Sequence, residues 1–210
     1  MNNIKINVLS ILFICFCSIG CFAQPTFTKE QLSKCNTAKN VKYLNEKEKE
    51  LIQLINLVRQ YPKQFSKIYL ENEAAETVVG WRNIIPDWDI NYYVSTLKKR
   101  LQTMEPMDLM YPNDTLHQIA KCWAIESSTN HKTGHERINC SYGYMAECCA
   151  YGPSLPIDIL LCLLIDHKVP SLGHRFIILK GYYTNIGPAI YCDNPKETFF
   201  RNYTSVLDFY

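Results

Sequence analysis

The chain has 210 residues, of which 47% are hydrophobic, 12% aromatic and 20% charged, a globular composition far from disordered or fibrous chains. Lysine and arginine number 22 against 20 aspartates and glutamates, so a formal charge of +2 creates no field strong enough to gather nucleic acid or an anionic membrane. Nucleic-acid partners are therefore excluded at the outset.

Lys5 is the only charge before an apolar run from Val8 to Phe22. That run is too short for a membrane span and reads as a secretory signal over residues 1–23, with cleavage after Ala23. The alternative is lipoprotein processing at Ser18-Ile19-Gly20-Cys21, which would leave a lipid anchor on Cys21. Either route gives a secreted, periplasmic or surface-anchored chain with no transmembrane span after processing.

Removing Cys15, Cys17 and Cys21 with the signal leaves Cys35, Cys122, Cys140, Cys148, Cys149, Cys162 and Cys192. In an exported chain these are disulfide candidates, and an odd number demands at least one free thiol. Cys162, inside Ile159–Ile165, is assigned as the buried free one, and Cys140 with Cys148 or Cys149 forms the expected short loop.

Residues 24–44 are expected to form an N-terminal arm or leader strand, and residues 45–210 a single domain. Asn45 precedes Glu48 in a capping arrangement, and Leu51, Leu54, Ile55 and Val58 recur at helical spacing. Pro62 ends or restarts that helix, and a second one would present Phe65, Ile68 and Tyr69. Ala74–Asp89 has no clean period and reads as loop. Tyr93, Leu97, Leu101 and Met104 make the next helical stripe. Asn113 or Asp114 then caps a helix burying Leu116, Ile119, Ala120 and Trp123. Ile157–Ile165 is apolar nearly all round and must be buried. Thr184–Tyr191 and Glu197–Phe209 read as two antiparallel strands around a turn at Asp193-Asn194-Pro195. Helices followed by strands define an α+β arrangement.

The common catalytic signatures are absent: no HExxH, no GxSxG, no SxxK and no phosphate-cradling loop. What remains is dispersed, in Gly134-His135-Glu136-Arg137, Ala146-Glu147-Cys148-Cys149, Leu164-Ile165-Asp166 and Pro170-Ser171-Leu172-Gly173-His174-Arg175. His117, His131 and His167 read as surface residues, and Arg175 as either a packing residue or a substrate clamp.

These segments resemble the CAP superfamily, the cysteine-rich secretory, antigen 5 and pathogenesis-related proteins, in its bacterial extracellular SCP-like form. Gly173-His174-Arg175 is similar to the family's GHR block, Ile186-Gly187 to its IGxG strand, and Ile55-Asn56-Leu57-Val58-Arg59 to its INxxR helix. The resemblance implies a single-domain, three-layer α-β-α sandwich with a shallow cleft where two histidines and two acids converge. Carried over by motif, His135 and His174 are the histidines and Glu147 is the glutamate of the GEN motif. Asp166 replaces the second acid, usually glutamate, and Ala146-Glu147-Cys148 replaces Gly-Glu-Asn.

Two imidazoles and two carboxylates suit tetrahedral zinc, so His135, Glu147, Asp166 and His174 are the metal candidates, with no catalytic residue assigned. A carboxylate beside each histidine should raise the imidazole pKa. The function implied is a secreted module binding an extracellular protein, lipid or sterol; the alternative is a zinc-dependent hydrolase acting on peptides.

Overall fold

The computed structural model describes residues 26–71, 90–193 and 203–210. The signal segment 1–23 with Cys21, the whole Ala74–Asp89 loop, the Asn194-Pro195 turn and residues 197–202 of the second expected strand lie outside the described residues.

Within residues 24–44, expected as an arm or leader strand, the structure places a helix and not a strand. Helix α1, Lys29–Cys35, begins at Thr28, whose hydroxyl accepts from the Gln31 amide while Gln31 returns a bond to the Thr28 amide. Cys35, Ala38 and Leu44 that follow are buried. Seven helical residues give too short an apolar period to detect; the Thr28-x-x-Gln31 capping box is the local signal that could have found the helix.

Helix α2, Glu46–Gln60, forms as the Asn45/Glu48 box predicts, and Leu51, Leu54, Ile55 and Val58 are buried. The same helix buries two polar residues that act as staples. Asn56 donates to the Cys35 and Met110 carbonyls and accepts from the Met110 amide at 2.7 Å. Arg59, fully buried, donates to the carbonyls of Asp108, Ile178, Lys180 and Tyr183. Burial pulls its pKa down only to about 10, so it stays charged at neutral pH and its charge is answered by carbonyl dipoles. The Asn and Arg of Ile55–Arg59 are thus structural.

Pro62 restarts the chain as α3, Pro62–Tyr69, which buries Phe65. Helix α4, Ile90–Thr103, buries Leu97 and Leu101. After strand β1, Tyr111–Pro112, helix α5, Asp114–Thr129, is capped by Asn113, whose side chain accepts from the Leu116 amide. Strand β2 is Ala146–Tyr151, helix α6 is Pro156–Ile165 and the short α7 is Gly173–Ile178. Strands β3, Asn185–Cys192, and β4, Tyr203–Phe209, close the fold as the antiparallel pair the sequence predicts.

The sheet order is β1-β3-β4-β2, with β1 parallel to β3 and the remaining pairs antiparallel. Helices cover both faces, so the α+β reading holds. One face buries Cys148, Ala150, Ile186, Leu207 and Phe209 against α2, α4 and α6; the other buries Cys149, Ala189 and Val206 against Ala120, Trp123 and Ala124 of α5. Helix α5 lies so close to β3 that a Cβ on Gly187 would stand 2.1 Å from the His117 amide nitrogen, which is why glycine sits there.

His117 corrects the sequence reading. It is 2% exposed, not on the surface, and its Nδ1 lies 2.7 Å from the Pro188 carbonyl. Glu48 takes the Ile190 amide beside it. Together with Pro188, which has no N–H, these side chains close the outer edge of β3.

The disulfide is Cys122–Cys140, not a bond from Cys140 to Cys148 or Cys149. The latter two are neighbours on β2, so strand alternation sends them to opposite faces, into two separate cores. Cys162 is free as expected but only half-buried, and Cys35, Cys148, Cys149 and Cys192 are free as well. Among the described residues no helix is long and apolar enough to cross a membrane.

Candidate functional site

The four residues singled out by motif form two imidazole–carboxylate pairs. Nδ1 of His135 lies 2.7 Å from Oε1 of Glu147, and Nδ1 of His174 lies 2.7 Å from Oδ1 of Asp166. On strand β2, Glu147 is on the α5 face, and the next residue, Cys148, points to the opposite face, where its thiol reaches the His174 backbone carbonyl at 3.8 Å.

The Asp166 pair is built from helix ends. Asp166 ends α6 in the left-handed conformation, φ 55°, and its Oδ2 accepts the backbone amides of His174 and Arg175 at the start of α7. A carboxylate one methylene shorter than glutamate suits this role, because the side chain must turn straight back onto neighbouring backbone. Arg175 resolves to a packing residue. It is 4% exposed and donates to the Leu164 and Ile165 carbonyls at the end of α6, to the Tyr93 carbonyl and to the Thr96 hydroxyl of α4.

The Glu147 pair is built from a loop laid over the sheet. Residues 131–145 leave α5 through Gly134, at φ 100°, a conformation that disfavours any side chain. Tyr151 and Trp123 both donate to the Gly134 carbonyl. Farther along, the Glu126 carboxylate accepts from the amides of Ile138, Asn139 and Cys140, and the Cys122–Cys140 bond fixes the same turn. The loop thereby aims His135 and Arg137 at β2.

Arg137, next to the Gly134-His135-Glu136 run, had no role assigned from sequence. Its side chain is fully enclosed, hydrogen-bonds Oε2 of Glu147, lies 3.6 Å from Asp208 and stacks between the rings of Trp123, Tyr142 and Tyr144. Asp208 on β4 is completely buried, and neither of its oxygens has a hydrogen-bond partner; the Arg137 Nε is likewise unpaired. Burial raises the Asp208 carboxyl to about 7 against the pull of Arg137. The only sequence signal for it was one aspartate inside the apolar run of the last strand.

His135 departs from the expected pKa direction. Burial, and then the Arg137 charge, hold it below 6.5 instead of letting Glu147 raise it. Glu147 already faces Arg137, so its charge is shared before the imidazole can use it. Cys149, on the same face as Glu147, has its thiol pushed up to about 12 by burial. Its Sγ is 3.9 Å from Nδ1 of His135, and the ligating atoms of His135, Glu147 and Cys149 lie within 4.8 Å of one another. Among the described residues that group does not include Asp166 or His174.

The segments that carry the two histidines also expose large apolar side chains. Ile138, Tyr142 and Met145 in the loop and Phe176 on α7 are exposed by 63%, 60%, 62% and 53%.

No family model matches this chain, and no curated protein matches it. Among solved structures it is similar to an outer surface protein from Borrelia burgdorferi, at 18% identity and a TM-score of 0.38, over 66% of this chain and 94% of that one.

Proposed function

We propose that this chain is an extracellular CAP-type domain, a three-layer α-β-α sandwich that works as a ligand- or protein-interaction module. The observation that supports the reading is the pair of 2.7 Å imidazole–carboxylate bonds, His135–Glu147 and His174–Asp166, each made within its own stretch of chain. In each pair the carboxylate engages Nδ1, which leaves Nε2 to face a ligand. The exposed apolar side chains of Ile138, Tyr142, Met145 and Phe176 supply the rim that an apolar ligand such as a lipid or sterol requires. Export through the signal at residues 1–23, or anchoring through Cys21, belongs to this proposal.

The test is sedimentation with sterol-containing and sterol-free phospholipid vesicles. Wild-type protein is expected to sediment with vesicles, and Ile138→Ser combined with Met145→Ser to remain in the supernatant. Equal sedimentation of both, or of neither, would count against the apolar rim as a ligand surface.

The second reading is a zinc hydrolase acting on peptides. It is favoured by carboxylates bonded behind both imidazoles, which is how zinc-binding histidines are oriented. His135 and His174 would hold the ion through Nε2, with Glu147 and Asp166 behind them, since Arg137 and the α7 amides already occupy the other carboxylate oxygens. When bound, zinc would supply a water acidic enough to attack a carbonyl. Zinc-dependent cleavage of a peptide library, lost in His135→Ala plus His174→Ala, is the expected result on this reading.

A further inference from the structure

The α5 face of β2 gathers three donors of different kinds at the mouth of a closed charge cluster. Nδ1 of His135, Oε1 of Glu147 and Sγ of Cys149 lie within 4.8 Å of one another, with 2.7 Å between the nitrogen and the oxygen and 3.9 Å between the nitrogen and the sulfur. A tetrahedral ion about 2.0–2.3 Å from each such donor needs them to stand roughly 3.3–3.8 Å apart, so small side-chain shifts suffice. The His135 side chain is 53% exposed, which leaves the fourth coordination position open to water, whereas Glu147 and Cys149 are buried beneath it.

A second, independent observation points the same way. Two carboxylates, Glu147 and Asp208, share one enclosed cation, Arg137, and both Asp208 oxygens lack a hydrogen-bond partner while the residue is completely buried. Such a group needs compensation. A divalent ion bound with loss of one proton from Cys149 brings the cluster of Glu147, Asp208, Cys149, Arg137 and metal to zero net charge. The supporting shell is already in place: Arg137 holds the other oxygen of Glu147, the Tyr144 hydroxyl lies 3.5 Å from Oε1, and the loop bearing His135 is tied down by Cys122–Cys140 and Glu126.

We propose that Nδ1 of His135, Oε1 of Glu147 and Sγ of Cys149 hold a thiophilic divalent metal ion of the zinc class. The mixed nitrogen, oxygen and sulfur set selects zinc-like ions over calcium or magnesium, which take oxygen ligands. The imidazole carries its proton on Nε2 in the bound form, and the Cys149 proton leaves to solvent. This site uses the opposite ring nitrogen from the one the hydrolase reading requires and does not involve His174 or Asp166, so the two stand or fall separately.

Cobalt(II) is the probe, because a cobalt–thiolate bond gives a near-ultraviolet charge-transfer band that nitrogen and oxygen ligands do not. The protein is titrated with cobalt chloride without thiol reductant, keeping the Cys122–Cys140 bond. The band is expected in the wild type, to be displaced by zinc, to survive His174→Ala, and to vanish in Cys149→Ser and His135→Ala with cobalt binding weakened by more than about tenfold. His135→Ala keeps the test decisive if Cys149→Ser does not fold, since that ring is half in solvent. A wild-type complex without the band, or a band that persists in His135→Ala, overturns the site. Cobalt binding without the band that is lost in His174→Ala also overturns it, and leaves the Nε2 arrangement as the metal site.

Discussion

The two imidazole–carboxylate pairs have the same 2.7 Å bond but are built from opposite materials. Asp166 and His174 sit where one helix ends and another begins, and one oxygen of Asp166 takes two backbone amides while the other meets the His174 ring. His135 and Glu147 sit in a loop-covered cluster where charges outnumber hydrogen-bond partners. A helix-end pair is held by geometry that the backbone supplies; a cluster pair is held by electrostatics that must balance. The difference places tunable chemistry in the second pair and positional rigidity in the first.

The strongest way to break that comparison is to remove the cation. Arg137→Ala leaves Glu147 and Asp208 buried without a counter-charge and deletes the stacking on Trp123, Tyr142 and Tyr144. A loss of about 4 kcal/mol in urea unfolding at pH 8 is expected. A loss below about 1 kcal/mol would mean that the disulfide and Glu126 hold the loop and that the charge cluster is incidental.

Asp208 gives the next largest effect, through pH. Its folded pKa of about 7 stands above the unfolded value of 3.8, so the folded state binds more protons between those values and stability falls as pH rises from about 4 to about 7. The difference between the two values corresponds to at most about 4 kcal/mol across that window. His135 has the opposite sign: with its folded pKa below 6.5, it favours the fold at higher pH, and that contribution is lost as pH falls through 6.5 and below. Asp208→Asn removes the downward slope and leaves the histidine's rise, so the wild-type and variant curves should converge near pH 4 and separate towards pH 7. Parallel curves would sink the assignment.

What was legible in the sequence follows the same division. The caps at Asn45 and Asn113 and the stripes of α2, α4 and α5 were read correctly because helix period and capping are local. Strand β2 escaped because both of its faces are buried, so Ala146–Tyr151 shows no alternation. His117 was misplaced because its burial comes from β3 and Tyr43, both far away in sequence. The pairing of His135 with Glu147 and of His174 with Asp166 was within reach of motif spacing. Arg137, Cys149 and Asp208 were not, because only the meeting of loop 131–145 with β2 and β4 makes them one cluster.

The smallest effects belong to the helix-end pair, and they separate geometry from charge. Asp166→Ala strips the acceptor from two backbone amides and from the His174 ring, and puts alanine at φ 55°, for a cost of about 2 kcal/mol. Asp166→Asn keeps an acceptor oxygen and tolerates the left-handed conformation, so its cost should be about 1 kcal/mol. If a cap is what Asp166 provides, the asparagine variant recovers most of the stability that alanine loses, and urea unfolding reads the gap directly. If the two variants cost the same, the negative charge and not the acceptor geometry holds α7 in place, and the helix-end pair would belong to the same electrostatic class as the cluster on β2.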